Sequence, residues 1–407
     1  MKKTEMVEVI TFMDKQEFLN NYLVERRNTD CLKWDELGVR YGDSNLLSMW
    51  VADMEFKTCN DIIEAMISRT KHGVFGYSCV PDKYYEAYSN WMEQRYSFPI
   101  KKDWVRFSTG CVTAIAWMIH AFTKPSDACL ILTPVYYPFH NVVTYNGRKL
   151  VTVDLDYKDG YFTMNYEDIE QAIVENQVKM FIQCSPHNPA GRVWTEQELD
   201  RVLAICKKHN VLVVSDEIHQ DIILGNNKFI PSAVVSGGIY NDIVITLSSA
   251  SKTFNLASLL HSHIVITNES LMEIYDEFAK GLNRTEMNIM GLTATQAGYT
   301  YGGEWLENVL EVIQDNYHYL KTELNKNMPD ITVCSLEGTY LILLDMRKCI
   351  KPELVRDFIQ NKCHLAVDYG EWFGENFKGF VRLNLATNPA YVKEAVQRIV
   401  TEIGKVR

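Results

Sequence analysis

The sequence predicts an α/β protein whose main unit is a largely parallel sheet covered by helices on both faces. Runs rich in Val, Ile and Leu recur between about residues 104 and 266, and helix-like segments separate them. Strands that are apolar on both faces are typical of a parallel sheet buried between two helical layers. The final third changes to a mixture of helices and a hairpin, which predicts a smaller α+β domain.

The strand pattern of the main unit begins with "ACLIL" and "KLVTVDL", and the helix-like "VYYPFHNVVTYN" lies between them. "KMFIQCS" follows, and then the segment "TEQELDRVLAICKKHN". This segment predicts a helix because Thr195 can cap it, Glu198 stands three residues later, and its last turn is basic. The strands "VLVVSDE", "DIVITLSS" and "SHIVIT" complete the main unit.

The last third begins with a long helical stretch, roughly 286–327, which leads into a predicted hairpin, "ITVCSLEGTYLILLDM". "PELVRDFIQNKC" indicates a helix, "GFVRLNLA" a strand and "PAYVKEAVQRIVTEIGKV" a terminal helix. A long connecting helix is a natural domain boundary. We therefore predict an N-terminal segment (1–50) that packs with the small domain, a large ligand-binding domain (51–290) and a small C-terminal domain (291–407).

Composition and charge exclude several classes of function. A formal charge of −11 disfavours nucleic-acid partners and anionic membranes, both of which attract basic surfaces. None of the ten cysteines has C-x-x-C spacing, so we expect no metal site and reduced thiols in a cytoplasmic protein. The N-terminus lacks the apolar core of a signal peptide, and no apolar stretch approaches the ~20 residues of a membrane span.

Chemically active side chains cluster just after the predicted strands, where ligands bind in open α/β sheets. They supply a lysine, a carboxylate, an asparagine, an aromatic ring and a glycine-led helix start. This set fits pyridoxal 5′-phosphate (PLP), which needs a lysine for covalent attachment, a carboxylate for its ring nitrogen and N–H groups for its phosphate. The positions are Lys252, Asp216, Asn188, Tyr136 and Gly110, with Glu217, His219, Tyr137, Ser248, Ser249 and Ser251 nearby.

The motifs "PHNPAGRVWT", "VVSDEIHQD" and "SSASKTFNLAS", in that order, resemble the fold-type I PLP-dependent enzymes, which have the aspartate-aminotransferase-like fold. "KWDE", "WVADMEF", "HGVFGYS", "EGTYLILLD" and "FGENFKGFVRLNLA" narrow the resemblance to the MalY/PatB family, the cystathionine β-lyase-like C–S lyases of the aminotransferase class I/II superfamily. The resemblance spans about residues 30 to 400. It implies a cytoplasmic, homodimeric PLP enzyme that cleaves L-cystathionine, cysteine or cysteine S-conjugates to a thiol, pyruvate and ammonia.

The resemblance also implies roles for the residues that surround the cofactor ring. Lys252 would bind the cofactor covalently and act as base and acid at the substrate α-carbon, and Asp216 would pair with the pyridine nitrogen. Asn188 and His219 would lie near the 3′-oxygen, and Tyr136 would stack on the ring. Ordinary alternatives are a loop lysine, a helix-capping aspartate, a turn asparagine, a packed histidine and a core tyrosine, with Tyr137 the other choice for stacking.

Further positions matched by the resemblance concern the phosphate, the substrate and the partner subunit. Arg382 would bind the substrate α-carboxylate, and burial of an arginine in an apolar strand supports a charged partner. Tyr77 would reach the active site of the other subunit, which implies a homodimer. The phosphate would be bound by backbone N–H groups and by hydroxyl groups, at Gly110, Cys111, Val112, Ser249 and Ser251.

Three residues depart from the pattern of the family: Thr109, Ser258 and His261. The phosphate-binding arginine of the wider aminotransferases is also missing from "NLASLLHS", which favours the lyase branch. Two alternatives remain open at this point. One is a PLP-dependent aminotransferase of a small amino acid, and the other is a regulatory protein of the same fold.

Overall fold

The computed structural model describes residues 13–283 and 287–406. Short 3₁₀ segments lie at Lys102–Trp104, Ser232–Gly238, Ala257–Leu259, Pro352–Leu354, Gly370–Trp372 and Glu375–Phe377, and a π turn at Phe358–Lys362. The α-helices are α1 Lys15–Tyr22, α2 Leu32–Asp35, α3 Leu37–Tyr41, α4 Asn60–His72, α5 Asp82–Tyr96, α6 Cys111–Phe122, α7 Pro138–Thr144, α8 Tyr166–Asn176, α9 Glu196–Lys208, α10 Ala250–Thr253, α11 Glu269–Lys280, α12 Ile289–Tyr301, α13 Gly303–Asn327, α14 Val355–Asp357 and α15 Pro389–Val406. The strands are β1 Leu47–Ser48, β2 Val105–Ser108, β3 Ala128–Thr133, β4 Lys149–Asp154, β5 Asp156–Lys158, β6 Tyr161–Thr163, β7 Met180–Cys184, β8 Leu212–Asp216, β9 Val244–Ser248, β10 Ser262–Val265, β11 Thr332–Val333, β12 Leu341–Asp345, β13 Leu365–Ala366, β14 Asp368–Tyr369 and β15 Phe380–Asn384.

A seven-stranded sheet in the order β2-β10-β9-β8-β7-β3-β4 forms the main unit. The pairs from β9 across to β4 are parallel, and β10 is antiparallel to both of its neighbours. Nearly every residue of β3, β7, β8 and β9 is buried, as their apolar composition predicts. The predicted α/β class with a mainly parallel sheet is confirmed.

Helix α9 illustrates how the local sequence builds the helical layer. Thr195 Oγ1 accepts a hydrogen bond from the Glu198 backbone N–H at 3.2 Å, and the Glu198 carboxylate accepts one from the Thr195 backbone N–H at 2.8 Å. This capping box satisfies N–H groups that a helix start leaves unpaired. Leu199, Val202 and Leu203 lie on the buried face of the helix, and the predicted helix with its Thr195 cap is confirmed.

The predicted long helix of the last third is two helices, α12 and α13, which meet at Gly302. A Cβ atom at Gly302 would lie 2.4 Å from the Phe254 ring, so only glycine permits this approach of the two segments. Beyond α13, strands β11, β12, β15 and β14 form an antiparallel sheet, and β11 and β12 are the predicted hairpin. The predicted helix in "PELVRDFIQNKC" is confirmed: residues 352–362 are helical throughout, with 3₁₀, α and π hydrogen bonding in succession.

The two sheets are built from separate stretches of the chain, residues 105–265 and 332–384. Strand β1 near the N-terminus pairs in parallel with β13. The three-domain division remains a prediction. Within the described residues, no helix combines the length and the apolar character needed to cross a membrane.

A buried ion pair anchors the segment between β1 and α4. Lys33 is fully buried, and its Nζ lies 2.7 Å from Glu55 Oε1. Arg26 forms a bidentate pair with Asp53, with N···O distances of 2.8 and 2.7 Å. Because Asp53 follows Ala52 directly and Glu55 lies three residues after it, these pairs hold the segment that carries the Ala52 carbonyl group.

We predict that Lys33→Met lowers the free energy of unfolding by about 3–5 kcal/mol, because Glu55 is left buried without its main charge partner. Urea denaturation of the variant measures this loss. Lys102→Met is the matched control, because Lys102 pairs with Asp82 on the exposed surface and its loss should leave the denaturation midpoint unchanged. Equal effects of the two substitutions would contradict the anchoring role of Lys33.

Candidate active site

A cavity of about 200 Å³ lies at the carboxyl ends of β7, β8 and β9, beside the first turn of α6. Ten of the twelve residues to which the resemblance assigns a role line this cavity, and Tyr77 and Arg382 are the two that do not. The lining residues are Ala52, Thr109, Gly110, Cys111, Val112, Thr113, Tyr136, Phe139, Cys184, Asn188, Asp216, Ile218, His219, Ser249, Ser251, Lys252, Ala257 and His261.

Lys252 enters the cavity from α10, the short helix that follows β9. Its Nζ donates a hydrogen bond to the Ala52 carbonyl oxygen at 2.7 Å. Burial lowers the pKa of Lys252, the Asp53 carboxylate opposes this shift, and the Arg382 charge adds to it. A lysine whose pKa is lowered loses its proton more readily and becomes a better nucleophile and base.

Asp216 is the last residue of β8, and the Ile218 backbone N–H donates to its Oδ1 at 3.2 Å. Burial raises the pKa of Asp216 to about 6, although the Lys252 charge and hydrogen bonds oppose the shift. The positive charge and the hydrogen bonds around Asp216 therefore do not fully offset the cost of burying its negative charge. A cationic group in the cavity would restore its ordinary, ionised state.

The first turn of α6 lies at the cavity, and the N-terminus of a helix attracts anions. Gly110 caps this helix without a side-chain hydrogen bond, so the N–H groups at the helix start are left for the cavity. Ser249 Oγ donates to the His261 carbonyl oxygen at 2.7 Å and accepts from the Ser251 backbone N–H at 3.1 Å. The predicted phosphate-binding residues are thus close together at one end of the cavity.

Arg382 lies outside the set of lining residues, on β15, but it reaches the cavity through Asn188. Its Nη1 donates to Asn188 Oδ1 at 2.9 Å, and its Nη2 donates to the Trp50 carbonyl oxygen at 3.1 Å and to the Asp368 carboxylate. The side chain is 2% exposed, and its Nε has no hydrogen-bond partner among the described residues. This unpaired buried donor is consistent with a ligand carboxylate.

His219 and Tyr136 line the cavity, whereas Tyr137, the other candidate for stacking on the ring, does not. His219 is buried, its Nδ1 has no hydrogen-bond partner within the described part of the chain, and burial holds its pKa well below the usual range. Its ring is therefore neutral. The Tyr136 ring lines the cavity, whereas Tyr137 lines a separate groove with His140 and Trp372.

Tyr77 is a predicted site residue that does not line the cavity. Its side chain is 93% exposed, in the segment between α4 and α5. The prediction placed Tyr77 at the active site of a partner subunit, and it stays a prediction.

Sequence reasoning missed or left unassigned several contributors to the site. Asp368 pairs with Arg382 across β14 and β15, and Tyr340 donates to the Ala52 carbonyl oxygen at 2.9 Å. Ala52 thus accepts hydrogen bonds from both Lys252 and Tyr340. Strand pairing between distant segments could have suggested Asp368, but a backbone carbonyl acceptor has no signature in a sequence.

Comparisons with known proteins agree on one family. The model of the family "Aminotransferase class I and II" matches residues 45–399. The chain is 34% identical to cystathionine beta-lyase PatB of Bacillus subtilis (strain 168), covering 92% of this chain and 97% of that protein. It is 31% identical to Protein MalY of Escherichia coli (strain K12), covering 95% and 98%. Its fold is similar to the PLP-bound C–S lyase of Staphylococcus hominis, with a TM-score of 0.87, 31% identity and coverage of 94% and 97%.

We predict that Asp216→Asn stabilises the ligand-free protein at pH 7.5 by about 2–3 kcal/mol and that this difference disappears at about pH 3, below the unfolded pKa. The folded state raises the pKa of Asp216 to about 6, so the folded protein binds the proton more tightly than the unfolded chain does. This contribution to stability is present below the unfolded pKa and is lost as the pH rises to about 6. Urea denaturation across this pH range measures the difference, and a difference that does not change with pH would contradict it.

Proposed function

The chain belongs to the aminotransferase class I and II family and, within it, to the MalY/PatB group, and we propose that it is a C–S β-lyase that acts on L-cystathionine, cysteine or a cysteine S-conjugate. Its cofactor is PLP. The products would be a thiol, pyruvate and ammonia. The observation that carries the proposal is the convergence of Lys252, Asp216 and the Arg382–Asn188 pair on one cavity.

The residues of the cavity fit PLP. Asp216 is a buried carboxylate with a raised pKa, and a protonated pyridine nitrogen would compensate its charge. The N-terminus of α6 and the hydroxyl groups of Ser249 and Ser251 suit a phosphate, and Lys252 suits the aldehyde. When bound, the cofactor supplies an electron sink for the pair left at the substrate α-carbon.

Arg382 would bind and orient the substrate. Its guanidinium group can bind a carboxylate through two N–H groups, and its Nε is without a partner among the residues described. Asp368 and Asn188 hold the plane of the guanidinium group, so the bound carboxylate would have a fixed direction. Neutral His219 adds no positive charge that would compete for it.

Lys252 would move the proton. Its lowered pKa increases the fraction of free amine that can take the proton from the substrate α-carbon. The hydrogen bond from Nζ to the Ala52 carbonyl oxygen fixes the direction of the side chain. The bond between the β-carbon and sulfur then breaks, the thiol leaves, and hydrolysis of the remaining three-carbon enamine gives pyruvate and ammonia.

A homodimer is part of the same proposal. Val74, Phe75 and Tyr77 are large apolar or aromatic side chains that are all exposed in one segment of the chain. Exposed apolar groups that adjoin one another mark interaction surfaces. A second copy of the chain that covers this segment would bring Tyr77 to the active site of its partner.

We predict equimolar thiol and pyruvate when the purified protein is incubated with L-cystathionine in the absence of a keto acid. Lys252→Ala should lower this rate by about 10²–10⁴-fold, because the proton-transfer group is lost. Lys280→Ala is the matched control, because Lys280 is an exposed surface lysine, and it should keep full activity. Amino transfer that depends on an added keto acid and releases no thiol would identify an aminotransferase instead.

Mixing two inactive variants tests the shared active site. Lys252→Ala and Tyr77→Ala are each expected to be inactive alone. A heterodimer of the two has one intact site, formed by Lys252 of one chain and Tyr77 of the other. Random re-association should therefore restore about a quarter of the wild-type activity, because half of the dimers are heterodimers with one intact site each. No recovery, in a mixture shown to contain heterodimers, would place Tyr77 outside the partner's site.

A further inference from the structure

Lys252 lies on α10, a helix that is too short to fix its own orientation. The helix spans four residues, and the Phe254 backbone N–H closes its turn by donating to the Ala250 carbonyl oxygen at 2.9 Å. A single turn leaves most backbone groups at both ends of a helix without an intrahelical partner, and it is marginal in isolation. Contacts with other parts of the chain must therefore determine where the Lys252 side chain points.

A buried carboxylate holds the last residue of this helix. Thr253 is fully buried, and its Oγ1 donates to Asp221 Oδ2 at 2.7 Å. Asp221 is 2% exposed, and its Oδ1 accepts from Trp91 Nε1 at 3.0 Å and also from Tyr96 Oη. Both of these donors belong to α5, a helix of 15 residues with a buried face. Asp221 thus connects the short helix of Lys252 to a long, well-packed one.

A second contact joins α10 to the segment that carries the acceptor of Lys252. Asn255 Nδ2 donates to the carbonyl oxygens of Met54 at 3.1 Å and of Phe56 at 2.9 Å, and its Oδ1 accepts from the Met54 backbone N–H at 3.0 Å. Ala52, whose carbonyl oxygen accepts from Lys252, lies two residues before Met54. The short helix is therefore held at two points, by Asn255 on this segment and by Asp221 on α5.

Asp221 reaches Lys252 through the backbone of α10 rather than through the cavity. It does not line the cavity, so its effect on a bound ligand is indirect. Burial lowers the pKa of Lys252, and the carboxylates with the largest opposing effect are Asp53 and Asp216. The contribution that the contacts of Asp221 indicate is therefore to the position of Lys252.

We propose that Asp221 is a positioning residue, which directs Lys252 toward the substrate α-carbon by holding α10 against α5 through Thr253. Lysine has a flexible four-carbon stem, so a small rotation of α10 would move Nζ away from the atom that it must reach. Misplacement of a reacting group by about 1 Å can lower a rate by about 10²-fold. The inference rests on the proposed role of Lys252 in proton transfer, but not on which thiol leaves.

Steady-state kinetics of Thr253→Val test the proposal. Valine keeps the shape of threonine and removes the hydroxyl group that reaches Asp221. We expect kcat for thiol release from L-cystathionine to fall about 10- to 100-fold while KM is nearly unchanged, because Arg382 still binds the substrate. Thr253→Ser keeps the hydroxyl group and should restore most of the rate. A merely structural role would lower stability and leave kcat of the folded enzyme unchanged.

Thr246→Val is the matched control for loss of a buried hydroxyl group. Thr246 is buried on β9, and its Oγ1 lies 3.5 Å from the Val265 carbonyl oxygen, so this variant should keep the wild-type kcat. If Thr253→Val also keeps the wild-type kcat while Lys252→Ala is inactive, the positioning role of Asp221 is overturned and the proposed function stands. If Lys252→Ala is fully active, the role of Lys252 and its positioning by Asp221 are both wrong.

A second measurement does not depend on turnover. PLP is added to the full-length protein freed of cofactor, and its covalent attachment to Lys252 is followed by absorbance. We expect attachment to be about 10-fold slower in Thr253→Val, because Nζ is misdirected, and slower by a smaller factor in Tyr96→Phe, which removes a donor to Asp221 from α5. Tyr96 lies outside α10, so this variant tests the same connection even if Thr253→Val does not fold. Wild-type attachment rates in the folded variants overturn the proposal.

Discussion

The structure of the active site depends on the burial of charged groups at the carboxyl edge of the large sheet. Asp216, Lys252 and Arg382 are charged groups placed where little water can reach them, and the free-energy cost of this burial shifts the pKa values of Asp216 and Lys252 toward the neutral forms. The chain compensates Arg382 with Asp368 and Asn188. It leaves Asp216 without a full counter-charge, which a protonated pyridine ring would supply in the proposed binding of PLP.

The surroundings of the site give these groups fixed directions. The Ala52 carbonyl group accepts from Lys252 and Tyr340, and the buried pair of Lys33 and Glu55 holds the same segment. Tyr84 contacts both His261, which lines the cavity, and His263. The side chains held in this way at the cavity therefore have fixed directions before a ligand binds, which is the condition for electrostatic catalysis.

Much of the fold and of the site could be predicted from the sequence because the signals are local. Apolar runs mark the buried strands, and Lys252 and Asp216 follow such runs directly. What the sequence could not provide depends on contacts between distant segments. Asp368 pairs with Arg382 through strand register, and Phe254 packs against Gly302, the residue at which the predicted long helix divides.

The ionisation state of Asp216 with and without the cofactor tests this electrostatic account most directly. Carbon-13 NMR of protein labelled at aspartate carboxyl groups reports it, and the spectrum of Asp216→Asn assigns the signal. The account predicts that Asp216 titrates near pH 6 in the cofactor-free protein, where burial raises its pKa to about 6. With PLP bound, Asp216 should stay ionised over the whole measured range, from about pH 5 to about pH 8. The same titration near pH 6 in both forms would contradict it.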